Sequence, residues 1–126
     1  MSYTLKNLMD AKDDAAEHGM GEILSARFPR VEFGCEQLGF SLQQLRPGKE
    51  MPFGHTHKQA EEVYVVLSGG GKVKLDDEVA ELRPMDALRV SPGVMRAFAA
   101  GPDGLDLLVF STRYEDDVVP HPEPWS

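Results

Sequence analysis

Gly54-His55-Thr56-His57-Lys58-Gln59-Ala60-Glu61-Glu62-Val63-Tyr64-Val65-Val66-Leu67-Ser68-Gly69 is the stretch on which the reading of this chain turns. It opens with two histidines at positions i and i+2. In an extended strand such side chains leave the same face, roughly 6 to 7 Å apart along the backbone, so two imidazoles can converge on one point. If Glu62 opens the following strand, Tyr64 and Val66 share its face while Val63 and Val65 oppose it. One carboxylate then joins two imidazoles above a wall of larger side chains. Two histidines and a carboxylate form a facial set with open coordination positions, which suits Fe(II); such nitrogen and oxygen ligands also accept Mn, Ni, Zn or Cu, and spacing does not choose among them. On their own the two histidines read equally well as loop residues beside a solvated Glu61-Glu62 edge, because His-x-His recurs by chance.

The sequence on either side is a series of short runs rich in β-branched and aromatic residues. The expected strands are Glu36 to Leu45, Val63 to Leu67, Lys72 to Leu75, Glu78 to Leu82, Ala87 to Val90, Arg96 to Ala99 and Leu105 to Phe110. Pro47-Gly48, Gly69-Gly70-Gly71, Asp76-Asp77, Pro84-Met85-Asp86, Pro92-Gly93 and Gly101-Pro102-Asp103-Gly104 read as the turns between them. Such short connections leave no room for crossover helices, so the sheet is expected to be antiparallel and the fold all-β, a sandwich or barrel. Before it, Leu5, Leu8 and Met9 recur at helical spacing up to Glu17, and Gly19 and Gly21 break the pattern, which predicts a short N-terminal helix or irregular arm. After it, Pro120, Pro122 and Pro124 predict a tail that has left the sheet from Val118 onward, an extended arm offering Trp125 to a partner subunit. The expected organisation is one domain over 1–126, with a barrel core at about 36–110, an N-terminal arm at 1–35 and a Pro-rich tail at 118–126.

Composition narrows the function. A chain of 126 residues buries roughly two thirds of its unfolded surface, enough for an interior with a pocket. The net charge of -8 repels phosphate backbones and anionic lipid, so neither nucleic acid nor membrane is an expected partner. The acid runs Asp13-Asp14 and Glu115-Asp116-Asp117 read as solvated faces, and the Lys72, Lys74 pair as the outer face of a strand. Cys35 is the single cysteine, so no intrachain disulfide forms, and it reads as small buried filler. The first residues, Met1-Ser2-Tyr3-Thr4-Leu5-Lys6, lack the apolar stretch of a signal peptide, and the longest apolar run is Val63 to Leu67; a cytoplasmic location is expected.

The pattern His-x-His, four residues, Glu, six residues, Gly, from His55 to Gly69, resembles the first motif of the cupin superfamily. The resemblance covers about Glu36 to Phe110 and implies a double-stranded β-helix, a jelly-roll barrel whose interior receives His55, His57 and Glu62 as metal ligands. It also implies a homodimer. The second cupin motif is degenerate here: aligned on Gly93, Met85 stands at its glycine position and Arg96 at the position of its third metal-binding histidine.

Arg96 leaves three alternatives. Its guanidinium reaches the vacant metal position and pairs with Glu62 through two parallel hydrogen bonds, giving a metal-free barrel. Alternatively three ligands hold one divalent ion (Fe, Mn, Ni, Zn or Cu) and Arg96 stands beside it to bind an anionic substrate. In the third it points outward, which would carry Phe98 out with it. A pocket walled by Phe40, Leu42, Val66 and Phe98, with Tyr64 and Arg96 as polar contacts, is expected to take a small organic anion. A metal-dependent oxygenase or isomerase is the alternative function. His18 and His121 read as surface residues outside the motif.

Overall fold

The computed structural model describes residues 2–126. Eight strands are present: β1 (Leu24–Arg27), β2 (Leu38–Leu45), β3 (Phe53–His57), β4 (Glu62–Leu75), β5 (Glu78–Leu82), β6 (Ala87–Val90), β7 (Arg96–Thr112) and β8 (Val118–Pro122), with single helical turns α1 (Asp14–Glu17) and α2 (Arg30–Phe33) before β2. All pairings are antiparallel, in the order β1-β2-β7-β3-β8, with β4 pairing β5, β6 and β7. The sheet curls on itself, and Tyr64, Val66, Val73, Phe98, Leu105 and Leu107 fill its interior, each at most 4% exposed.

Strands β5 and β6 coincide with expectation, but two expected turns are not turns. Gly69-Gly70-Gly71 lies inside β4 and Gly101-Pro102-Asp103-Gly104 inside β7. The glycines serve the pairing of these two long strands, whose register shifts between Val66 and Ser68 and again between Gly69 and Gly71. Gly69 has φ +73°, and a Cβ there would run into the Gly104 carbonyl oxygen; one at Gly71 would meet the Ala99 carbonyl oxygen. These are bulges that bend the strands round the barrel, a second use for glycine in β structure.

Both ends of the chain correct the expected boundaries, because the sheet extends beyond 36–110. Of the two N-terminal alternatives the irregular arm is the one present over Leu5–Glu17: Leu8–Asp10 is a 3-10 turn, only Asp14–Glu17 makes a helical turn, and Leu5 and Met9 are exposed. The Asp13 carboxylate accepts from Ala15 N at 3.0 Å and from Ala26 N at 2.9 Å, so it caps α1 and ties the arm to β1 in place of continuing a helix. The C-terminal tail has not left the sheet either, since β8 pairs β3 from Phe53↔Pro122 to His57↔Val118. Pro120 and Pro122 alternate along an edge strand, where their missing N–H groups can face away from the partner. Trp125 is used within the chain: its indole donates to the Met51 carbonyl at 3.2 Å, and Lys72 Nζ lies 5.5 Å from the ring centroid. No helix among the described residues is long and apolar enough to cross a membrane.

Candidate metal centre and cavity

Strand alternation delivers the three expected ligands. On β3, His55 and His57 leave one face, while Thr56 between them bonds His121 Nε2 at 3.2 Å. Glu62, Tyr64 and Val66 on β4 are buried, Leu67 is exposed, and Val63 and Val65 are partly so. The His57 Nε2 lies 3.0 Å from Glu62 Oε1 and the His55 Nε2 lies 3.4 Å from the same oxygen, to which the Tyr64 hydroxyl also donates. One ligand atom from each of His55, His57 and Glu62 falls within 4.8 Å of the others.

A residue that sequence reading assigned to a solvated run completes the arrangement. Asp117, just before β8, is 4% exposed, whereas Glu115 and Asp116 beside it are exposed. Its carboxylate accepts from His57 Nδ1 at 2.8 Å, Gln59 N at 2.7 Å and Ala60 N at 3.2 Å, and its carbonyl accepts from Lys58 N at 2.8 Å. It therefore fixes both the His57 ring and the turn that leads to Glu62. A carboxylate on the far nitrogen of a ligating histidine sets the tautomer that leaves Nε2 free for a metal. Nothing local in the sequence marks this contact, which spans 60 residues.

The charges are strongly coupled. The hydrogen bond and charge of Glu62 hold His57 above the ordinary imidazole range, with Asp117 acting the same way, against burial and the positive charge of Arg96. Burial works to raise Glu62, but hydrogen bonds from His55, His57 and Tyr64 prevail and keep its carboxyl well below the usual carboxylate range. Burial, and then the adjacent Glu62 charge, push Tyr64 well above the phenol range, so it remains a proton donor. Asp117 is held low by His57 and the two backbone amides despite its burial. The centre thus presents the Glu62 and Asp117 carboxylates, both held ionised, to the histidines.

Arg96 faces inward. Its backbone pairs with His55 across β3 and β7, which puts its side chain on the histidines' face, and it is 0% exposed. It makes no ion pair with Glu62 among the described residues; Nη2 donates to the Ser91 carbonyl at 3.3 Å, and Nε and Nη1 have no partner. The outward alternative is thus overturned, and the doubly hydrogen-bonded pair with Glu62 is not formed.

A cavity of about 680 Å³ opens on the centre. His55, His57 and Glu62 line it, and so does Phe40; Arg96, Tyr64, Phe98, Val66 and Leu42 are buried outside its lining. Ser41 and Gln43 line it where Leu42 was expected, in register with Val109 and Leu107, while Leu42 is buried and Phe40 alone of the even-numbered β2 residues reaches the cavity. Arg30 and Arg113 also line it and carried no signal in the sequence. His18 is exposed, His121 is half-buried on Thr56, and neither joins the cluster; Cys35 is half-buried.

A curled antiparallel barrel with two histidines and a glutamate gathered at a mostly apolar cavity defines the chain as a β-barrel protein with a candidate metal centre. The model of the cupin domain matches residues 41–111, more than half of the chain, and this protein belongs to the cupin family. Among solved structures, a cupin protein from Bacteroides fragilis is 25% identical, with 92% of this chain and 88% of that one covered and a TM-score of 0.72. The polyketide cyclase RemF from Streptomyces resistomycificus shares the fold over 98% of this chain and 91% of its own, at 18% identity and a TM-score of 0.77. Salicylate 1,2-dioxygenase from Pseudaminobacter salicylatoxidans is 27% identical over 60% of this chain, with a TM-score of 0.55, and the match spans 21% of that enzyme's length. No curated protein matches the sequence.

Proposed function

We propose that this cupin holds one divalent metal ion through His55, His57 and Glu62 and binds a small organic anion in the adjoining cavity. The observation that carries this reading is the convergence of the three donor groups within 4.8 Å, with Asp117 occupying the other ring nitrogen of His57. The donor set fits such an ion: two imidazoles and a carboxylate accept Fe, Mn, Ni, Zn or Cu. When bound, the ion supplies Lewis-acid polarisation of a ligand oxygen, or redox chemistry if it is iron, manganese or copper. The chain's own groups do the rest. Asp117 keeps the His57 proton on Nδ1, Tyr64 donates to Glu62 and orients its carboxylate, and the apolar walls exclude water from the ligand.

Turnover as an oxygenase or isomerase is the second reading. It is favoured by the position of the cavity, which opens on a centre with only three protein donors and so leaves coordination positions for a substrate. The test is elemental analysis of protein purified without chelator or added metal, followed by Zn²⁺ titration of the stripped protein, for wild type, His55→Ala and His57→Ala. One metal site per chain, weakened at least a hundredfold in both variants, is expected. A site retained in both variants, or no site in wild type, removes the assignment.

A further inference from the structure

The cavity lining carries charges of both signs, with opposite consequences. The Glu62 carboxylate is engaged by His55, His57 and Tyr64. Arg30, the half-buried first residue of α2, and Arg113, exposed just beyond β7, also line the cavity. Among the described residues neither forms an ion pair, and the Arg30 Nε is buried with no hydrogen-bond partner. Two unpaired guanidinium groups on one cavity, in a chain of net charge -8, set up a local field of the sign that draws in an anion.

For Arg113 the strand register places the backbone relative to the centre. Ser111 pairs directly with Glu62, and the Arg113 Cα follows two residues later, about 7 Å farther along. A backbone offset of that size leaves room for a fused or substituted ring between the two groups. The rim between is apolar: Phe28, Val31, Phe53 and Val118 line the cavity and stay about half or more exposed. A ligand rich in hydroxyls would lose its hydration there with few partners in return. A flat apolar body ending in a planar anion finds both ring contacts and the guanidinium fork that matches two carboxylate oxygens.

We infer that Arg30 and Arg113 form a carboxylate subsite and that the ligand is an aryl carboxylate whose ring edge faces the His55–His57–Glu62 centre. This rests on reading the cavity as the ligand site. Both arginines lie outside residues 41–111, the span matched by the cupin-domain model.

The test is calorimetric titration of wild type, Arg30→Gln, Arg113→Gln and the double variant with 2-naphthoate, its neutral isostere 2-naphthamide and 2-naphthyl phosphate. Each single substitution should weaken naphthoate roughly tenfold or more, the double further, while naphthamide binding changes less than about twofold across the four proteins. Naphthoate affinity should fall with added salt in wild type and lose that dependence in the double variant. Equal naphthoate affinity in wild type and the double variant overturns the inference, and so does binding of the phosphate but not the carboxylate. If His57→Ala abolishes naphthoate binding while the arginine variants do not affect it, the carboxylate lies at the centre and only the subsite is lost. If none of the three probes binds wild type, the reading of the cavity falls with it.

Discussion

Replacing Asp117 first by asparagine and then by alanine separates its two tasks, holding the turn and orienting His57. The wild-type carboxylate divides its bonds: Oδ1 accepts from Gln59 N at 2.7 Å, and Oδ2 from Ala60 N at 3.2 Å and His57 Nδ1 at 2.8 Å. Asparagine has one acceptor oxygen. Gln59 is exposed and water can serve its N–H, whereas Ala60 is 3% exposed, so the amide oxygen should turn toward Ala60 and His57. The cost is one charge-assisted bond, about 1 to 2 kcal/mol, and the His57 tautomer survives on a weaker acceptor. Alanine leaves the Ala60 N–H buried without a partner and releases the ring, for about 3 to 5 kcal/mol in all. Metal affinity should follow a different scale, falling about tenfold in Asp117→Asn and about a hundredfold in Asp117→Ala, the range for lost support of a ligating histidine. Thermal unfolding of the stripped protein, at about 4 °C per kcal/mol for this size, reads the first effect. Competition of Zn²⁺ against a chromophoric chelator reads the second. Wild-type zinc affinity in Asp117→Ala, alongside the expected loss of stability, would refute the orienting role and leave Asp117 as a turn staple.

The pH dependence has a sign that can be worked out. His57 is held above its ordinary 6.5, so its pairing stabilises the metal-free protein fully below about pH 6.5 and fades as pH rises through the elevated value; Glu62 is held below its ordinary 4.5, so its contribution is present above about pH 4.5 and lost in acid. Metal-free stability in thermal scans should therefore fall on either side of that window, while the increase in Tm on adding Zn²⁺ should grow from pH 6 to 8 as His57 gives up its proton. Gly71→Ala drives a methyl into the Ala99 carbonyl and should cost more than about 3 kcal/mol in urea unfolding, whereas Gly48→Ala, at φ +72° with nothing within 4 Å, should cost only about 1 to 2 kcal/mol.

The parts of the molecule that could be read from sequence are those set by local alternation. His55, His57 and Glu62 are ordered by strand period alone, and β5 and β6 are bounded by the short turns at Asp76-Asp77 and Pro84-Met85-Asp86. What escaped reading depends on pairing across the chain. Gly69 to Gly71 supply the same conformational freedom to a bulge as to a turn, and only the β7 strand alongside decides which. The prolines of β8 argue against a central strand, yet this strand is at the edge. Asp117 and Arg30 acquire their surroundings from β3 and from the cavity, each far away in sequence, so no composition or period around them distinguishes them from the exposed charges nearby.

Arg96 shows how a single position can redirect a site whose framework is unchanged. In the cupin motif a third neutral imidazole would stand there; here a permanent cation does, wholly buried, with two of its donors unpartnered. A divalent ion held by two neutral histidines and one carboxylate carries one net positive charge, the Arg96 guanidinium brings a second, and the Asp117 carboxylate behind His57 offsets one of them, so one unbalanced positive charge remains. Leaving that much positive charge in a desolvated interior is unfavourable, and the nearby field of Arg96 already lowers the proton affinity of His57. A bound organic anion reverses the sign of the interaction. Metal and anion should therefore bind with positive coupling, each strengthening the other, and the coupling should be smaller in Arg96→Met, which removes the charge and keeps most of the volume. Zinc titrations with and without formate, a carboxylate small enough to stand between the ion and Arg96 and lacking the ring that the Arg30–Arg113 subsite selects, measure it on both proteins. Independent binding of the two in wild type would mean that Arg96 is only a structural cation, neutralised within the barrel wall.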